Sequence, residues 1–130
     1  MKRLLLSVLV LLVLLALSAG AAQARGGDGR EARVAGDCAR GATSSLRLRA
    51  RDHGIEVRFR LRQTRGHGLW RVAVVHEDRV AARATSRTTR SDDSFEVRRR
   101  LPDLQGSDTV TVHAWGPRGL GCRATATLSR

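Results

Sequence analysis

The stretch LRLRARDHGIEVRFRLR, residues 46 to 62, sets an arginine at almost every second position on both sides of Asp52-His53-Gly54. A guanidinium group is a permanent cation with a fork of donors that fits carboxylate and phosphate. Alternate residues of an extended chain fall on one face, so Arg47, Arg49, Arg58 and Arg60 form a candidate anion-binding set. A second basic run, Arg98-Arg99-Arg100, follows SFEV. Trp115 and Arg118, in AWGPRGLG, are candidates for a loop contact by stacking.

Other reactive residue types are thinly spread. His53, His67, His76 and His113 sit in separate segments. His76-Glu77-Asp78 has ligand-type side chains, yet neighbours on a strand point to opposite faces and this run enters a turn. Asp92-Asp93 reads as a turn, and Ser44-Ser45, Ser91 and Ser94 lack a G-x-S-x-G context. There is no phosphate-cradling glycine loop and no zinc spacing of Cys and His. The expectation is a protein without catalytic residues, metal or cofactor.

The chain has 24 Lys and Arg against 12 Asp and Glu, a net charge of +12. Its opening reads as an export signal: Met1-Lys2-Arg3, an apolar Leu4 to Leu17, then Ala22-Gln23-Ala24 before a cleavage site after Ala24. The competing reading, a membrane anchor, needs ~20 apolar residues and a charged stop. No Cys follows the apolar core directly, which argues against a lipoprotein, and nothing later in the chain is apolar enough to span a membrane. Cleavage removes two basic residues, leaving 22 against 12 acidic and a net charge of +10, all of it arginine. Lysine occurs only at position 2, and Asn and Tyr are absent. GC-rich codons produce that bias, so arginine in place of lysine is not by itself evidence of function.

One domain fits in the remaining length. Its apolar content is low and rich in alanine, and a small thin core commonly relies on a covalent staple. Cys38 and Cys122 leave one intramolecular pairing, against an intermolecular bridge or two free thiols; an exported, oxidising context favours the first.

The elements that must position these residues have a period of two. After RGGDGREARVAG, which reads as a flexible Gly-rich lead over 25–36, alternation begins. Leu46, Leu48 and Ala50 share one face of a first strand, and Ile55, Val57, Phe59 and Leu61 one face of a second. LWRVAVVHE is apolar on both faces, as a central strand would be, with Trp70, Val72 and Val74 inward. VAARATSRTT reads as an edge strand, followed by SFEVRRRL, TVTVHAW and CRATATL. Seven short strands without a helical segment predict an all-β, antiparallel seven-stranded sandwich over 37–130, with Cys38 inward on an extension of the first strand. Its bridge to Cys122 would tie first strand to last. Facing apolar residues together sets Leu48 against Phe59 and Leu46 against Leu61, hence Arg49 against Arg58, Arg47 against Arg60 and Arg51 against Glu56.

The order Cys38, L-x-L at 46–48, D-x-G-I-x-V-x-F at 52–59, Trp70-x-Val72, a Thr-rich strand, S-F-E-V at 94–97, D-x-V-x-V-x-A at 108–114 and G-C-x-A at 121–124 resembles small exported β-sandwich (immunoglobulin-like) proteins of actinobacteria. That group has no assigned activity; the resemblance implies the fold and export, and no reaction. The functional expectation is a secreted module whose arginine face binds anionic polymers of the cell envelope non-specifically. A protein-interaction module using a sheet edge or the Trp115 loop is the alternative. With no recognition helix, sequence-specific nucleic-acid reading is not expected. Oligomeric state is not legible.

Overall fold

The computed structural model describes residues 30–104 and 106–129. The expected signal peptide, 1–24, and the first part of the lead lie outside these residues. Among the described residues no helix is long and apolar enough to cross a membrane.

Among the described residues nine strands form two antiparallel sheets. They are β1 (Glu31–Ala35), β2 (Asp37–Cys38), β3 (Ala42–Arg51), β4 (Gly54–Gln63), β5 (Gly68–His76), β6 (Arg79–Thr88), β7 (Ser94–Pro102), β8 (Asp108–Trp115) and β9 (Gly121–Leu128). One sheet has the order β1-β3-β4-β7, the other β2-β9-β8-β5-β6. The seven segments read from alternation are β3 to β9, with LWRVAVVHE paired on both sides and VAARATSRTT at an edge as expected. The count of seven is corrected to nine by β1 and β2, which fall in and beside the supposed flexible lead. Ala32 and Val34 alternate inward there and pack against the core. Two inward residues in a five-residue strand leave a weak periodic signal.

Cys38 does not extend the first long strand. Gly41, at φ +104, turns the chain between β2 and β3, and Cys38 pairs directly opposite Cys122 of β9. The disulfide joins these two residues within one sheet, with Cα atoms 4.1 Å apart. At Gly36 the chain steps from one sheet to the other. A Cβ there would lie 1.9 Å from Ser44 Oγ, so any other residue would require Ser44 to move.

The apolar stripes meet between the sheets. Leu46, Leu48, Ile55, Val57, Phe59, Leu61 and Trp70 are at most 1% exposed. At one end of this core, Gln63 of β4 accepts a hydrogen bond from the Trp70 indole N–H (2.9 Å) and another from the Thr88 hydroxyl, while its amide donates to the Arg65 carbonyl (2.9 Å). One buried amide thus connects both sheets. A polar group so deeply placed is tolerated because its hydrogen-bonding capacity is used. At the opposite end His76 Nε2 lies 2.8 Å from Asp108 Oδ1, both buried, and the same oxygen accepts from the Leu104 N–H.

The register of β3 with β4 differs from expectation by two residues. Leu46 faces Phe59, Leu48 faces Val57, and Arg47 faces Arg58. Asp52 and His53 form the two-residue turn, both at positive φ (49° and 62°), as the tightest hairpins require. Gly54, which looks like the turn glycine, is a strand residue. A Cβ there would sit 3.0 Å from the Leu101 carbonyl oxygen of β7, so its glycine serves the approach of a third strand. A slip of two leaves every side chain on its own face, so alternation cannot distinguish the two registers.

Two stability measurements follow. Replacing Cys38 and Cys122 together by Ala should lower the unfolding free energy by about 4 kcal/mol, as a bridge closing a loop of this length is expected to contribute. Denaturant titration against the oxidised parent reads it directly; an unchanged midpoint would contradict it. Gln63→Ala strands the Trp70 N–H and the Thr88 hydroxyl in the core and should cost about 1–3 kcal/mol in the same assay.

Candidate anion-binding face

The outer face of the four-stranded sheet carries the arginines. Register places Arg33, Arg47, Arg58 and Arg98 directly opposite one another across β1, β3, β4 and β7, a row running the full width of the sheet. With strands about 4.8 Å apart, the four Cα positions span ~14 Å. Arg49 and Arg60 lie on either side of this row, Arg49 between Glu31 and Glu56, Arg60 between Ser45 and Glu96. All four arginines expected as a site therefore share one surface. The pairings Arg49–Arg58 and Arg47–Arg60 are corrected to Arg47–Arg58 alone, because the hairpin turns at Asp52-His53. The sequence reading missed Arg33, whose strand it did not see, and left Arg98 in a separate cluster.

Like charges directly opposite destabilise a ladder. Three glutamates inside the field reduce that cost. Glu31 meets Arg33 Nε at 2.5 Å and Arg47 Nε at 2.8 Å. Glu96 meets Arg58 at 3.1 Å and Arg60 at 3.6 Å, and also pairs with Arg98. Glu56 reaches Arg51 at 3.3 Å, while Asp93 and Asp52 take Arg62 and Arg100 at the margins. Arginines outnumber these carboxylates, and Arg49 makes no ion pair among the described residues. Hydrogen bonding from Arg33, reinforced by the charges of Arg33 and Arg47, holds the Glu31 carboxyl below the usual carboxylate range. Glu96 is held low by its bond from Arg98 and by the charges of Arg98, Arg58 and Arg60. Glu96 in turn raises Arg98.

Arg47 and Arg58 differ from their neighbours in lying half-buried, with side chains 25% and 26% exposed. The Nε–H of each has no hydrogen-bond partner, although a glutamate oxygen lies within ion-pairing distance. The two observations agree: the carboxylate is near enough to attract but is not in line with the N–H. Between Arg33, Arg47, Arg58 and Arg60 is a hollow of about 150 Å³, floored by Val34, Ser45 and Leu46. A second, of about 380 Å³, lies beyond Arg58, among Arg51, Glu56, Arg98, Arg99 and Arg100. Arg58 is common to both. The smaller hollow is well under the size of an enclosed ligand pocket; the surface offers shallow, repeated seats for charged groups.

The remaining sequence candidates are placed apart. Trp115 is 52% exposed on the outer face of the other sheet, stacked on His113 with ring centroids 5.5 Å apart. Arg118 is in the single turn Pro117–Gly119, and its guanidinium extends toward Gly66, so the two do not form one loop contact. His76, Glu77 and Asp108 offer ligand atoms within 4.8 Å of one another, but His76 and Asp108 already bind each other and Glu77 accepts from the Thr109 N–H at 2.6 Å. Asp92 and Asp93 have separate duties, Asp93 pairing with Arg62 while the Asp92 N–H caps onto Thr89.

Comparison with family models, with curated proteins and with solved structures finds no match to this chain.

The glutamates yield a pH prediction. Because the folded-state pKa values of Glu31 and Glu96 are depressed, their stabilisation is complete above the unfolded carboxylate pKa of ~4.3 and is lost as pH falls through the folded values. Wild type should be more stable than Glu31→Gln/Glu96→Gln at pH 6, and the difference should shrink toward zero on acidification. Denaturation midpoints measured from pH 6 to 2 check this; a constant difference would refute it.

Proposed function

We propose that the protein is a secreted, non-catalytic module that binds anionic polymers of the cell envelope, without sequence or monomer specificity, through the arginine face of its four-stranded sheet. The observation that carries this reading is the row Arg33–Arg47–Arg58–Arg98, with Arg49 and Arg60 beside it. A flat, wide field of cations with shallow hollows suits an extended chain of repeated charges better than one small ion. Arg33, Arg60 and Arg98, whose side chains are mostly exposed, supply the accessible guanidinium donors of that field. Export, an immunoglobulin-like kinship within the sandwich class and an actinobacterial source belong to the same proposal; the signal-like opening and the disulfide support the first. The binding is electrostatic, so its affinity derives from release of counterions from the polymer and falls with salt.

Binding of inorganic polyphosphate and of duplex DNA at two salt concentrations tests the proposal, beside a variant with Arg47, Arg49, Arg58 and Arg60 changed to Gln. Wild-type affinity should drop steeply with salt, and the variant should lose at least tenfold in affinity together with much of the slope. Glu96→Gln, which releases Arg58, Arg60 and Arg98 from a shared carboxylate, should bind more tightly than wild type. Equal, weak binding by all three proteins would overturn the reading. It would direct attention to a protein partner at a sheet edge, where Val80 of β6 is 51% exposed.

A further inference from the structure

The five-stranded sheet has its own basic surface, built differently. On its outer face Trp115 of β8 stands directly opposite Arg71 of β5, which stands opposite Thr85 of β6. One row along, His113 is opposite Ala73, and Ala73 opposite Arg83. The short Thr85 leaves a groove of about 580 Å³ between the indole and the two guanidinium groups. Its floor is the main chain at Val72 and Ala84, whose side chains belong to the core. It is an open surface groove with room for one six-membered ring against the indole.

Three features define what would fit. The first is an exposed aromatic wall: stacking on His113, with planes 8° from parallel, holds the Trp115 ring while leaving half of the side chain open to solvent. The second is uncompensated charge. Among the described residues neither Arg71 nor Arg83 forms an ion pair, whereas almost every arginine of the other sheet has a carboxylate beside it. The third is the polar lining, which consists of arginine donors and the Thr85 hydroxyl, with no amide or carboxylate side chain. Sequence-selective reading of a nucleobase edge calls for such paired donors and acceptors; a base stacked without such reading is the outcome that the oligonucleotide comparison below detects. A sugar ring needs only an apolar wall for its C–H face and hydrogen-bonding partners for its hydroxyls. A carboxylate on that ring matches the guanidinium fork.

We propose that this groove is a second binding site, for a pyranose ring bearing a carboxylate, with Trp115 stacking on the ring and Arg71 and Arg83 holding the acid group. It is independent of the arginine row, being on the opposite sheet and using an aromatic contact that the row lacks.

The test uses the full domain and a galacturonic acid tetrasaccharide, with a neutral galactose tetrasaccharide, a single-stranded oligonucleotide and inorganic polyphosphate as comparisons. Trp70 is 0% exposed, so acrylamide quenching of fluorescence reports on Trp115. The acidic tetrasaccharide should protect Trp115 from the quencher, and calorimetric affinity for it should fall at least tenfold in Trp115→Ala and in Arg71→Gln/Arg83→Gln. Polyphosphate binding should be unchanged in Trp115→Ala, since it uses the other face. All three substitutions are at the surface, and denaturation midpoints confirm the fold of each variant. Equal protection by the neutral sugar, stronger protection by the oligonucleotide, or undiminished binding by the variants would each overturn the proposal. Loss of polyphosphate binding in the Arg47/Arg49/Arg58/Arg60 variant, with protection of Trp115 retained, separates the two sites. If polyphosphate fails to bind wild type at all, the tetrasaccharide result still decides this one.

Discussion

Burial of one face of the four-stranded sheet determines where every arginine on the other face must stand. Leu46, Leu48, Ile55, Val57, Phe59 and Leu61 are almost wholly removed from water, each side chain contributing roughly 1.5–3 kcal/mol by that burial. A cross-strand pair of exposed charges is worth roughly 0.2–1 kcal/mol. The inner face therefore wins, and the outer face accepts Arg47 against Arg58 as a consequence. Once those two oppose, β1 and β7 add Arg33 and Arg98 to the same line. The glutamates are interleaved where they relieve the crowding, Glu31 at one end and Glu96 at the other, and the arginines around each depress its pKa.

The two outer faces handle positive charge in opposite ways. On the four-stranded sheet the arginines are dense, and most share carboxylates, so the field is broad and partly neutralised from within. On the five-stranded sheet they are sparse but unshared, and they flank an indole. The tryptophans are divided likewise. Trp70 is sealed under Gly116, where an added Cβ would come within 2.5 Å of the ring, and its polar hydrogen is assigned to Gln63. Trp115, on the same sheet, faces outward.

Much of this was legible in the chain because its elements are long and alternate cleanly. Seven strands, their inward faces, the edge position of β6 and the Cys38–Cys122 pairing all follow from period-two patterning and from there being only two cysteines. Strand β1 was not legible, since it carries only two inward apolar residues, Ala32 and Val34, between a glycine-rich run and Gly36. The hairpin register is not legible in the chain because a two-residue slip preserves every face, and because Gly54 is required by β7 while looking like a turn residue. The buried polar residues Gln63, Thr88 and Asp108 gave no signal either; what makes each of them tolerable inside is a partner distant in sequence. Of the candidate site, the four arginines were found on one surface. Trp115 is close to Arg118 in sequence, but its strand position pairs it with Arg71.

The cross-strand disulfide has a mechanical consequence. Cys38 lies near the start of the described residues and Cys122 near their end, and Arg30 donates a hydrogen bond to the Ser129 carbonyl oxygen at 2.8 Å, so Arg30 and Ser129 lie side by side. A load applied between them is carried by Arg30 to Cys38, across the sulfur bridge, and out through Cys122 to Ser129. Everything from Ala39 to Gly121 is bypassed. Pulling can peel β1 from β3 and β9 from β8, but the long hairpins cannot be extended while the bridge is intact. Under tension the domain would give up Arg33 and keep Arg47, Arg58 and Arg98 in place: a tether that yields by a short, fixed length and then stops.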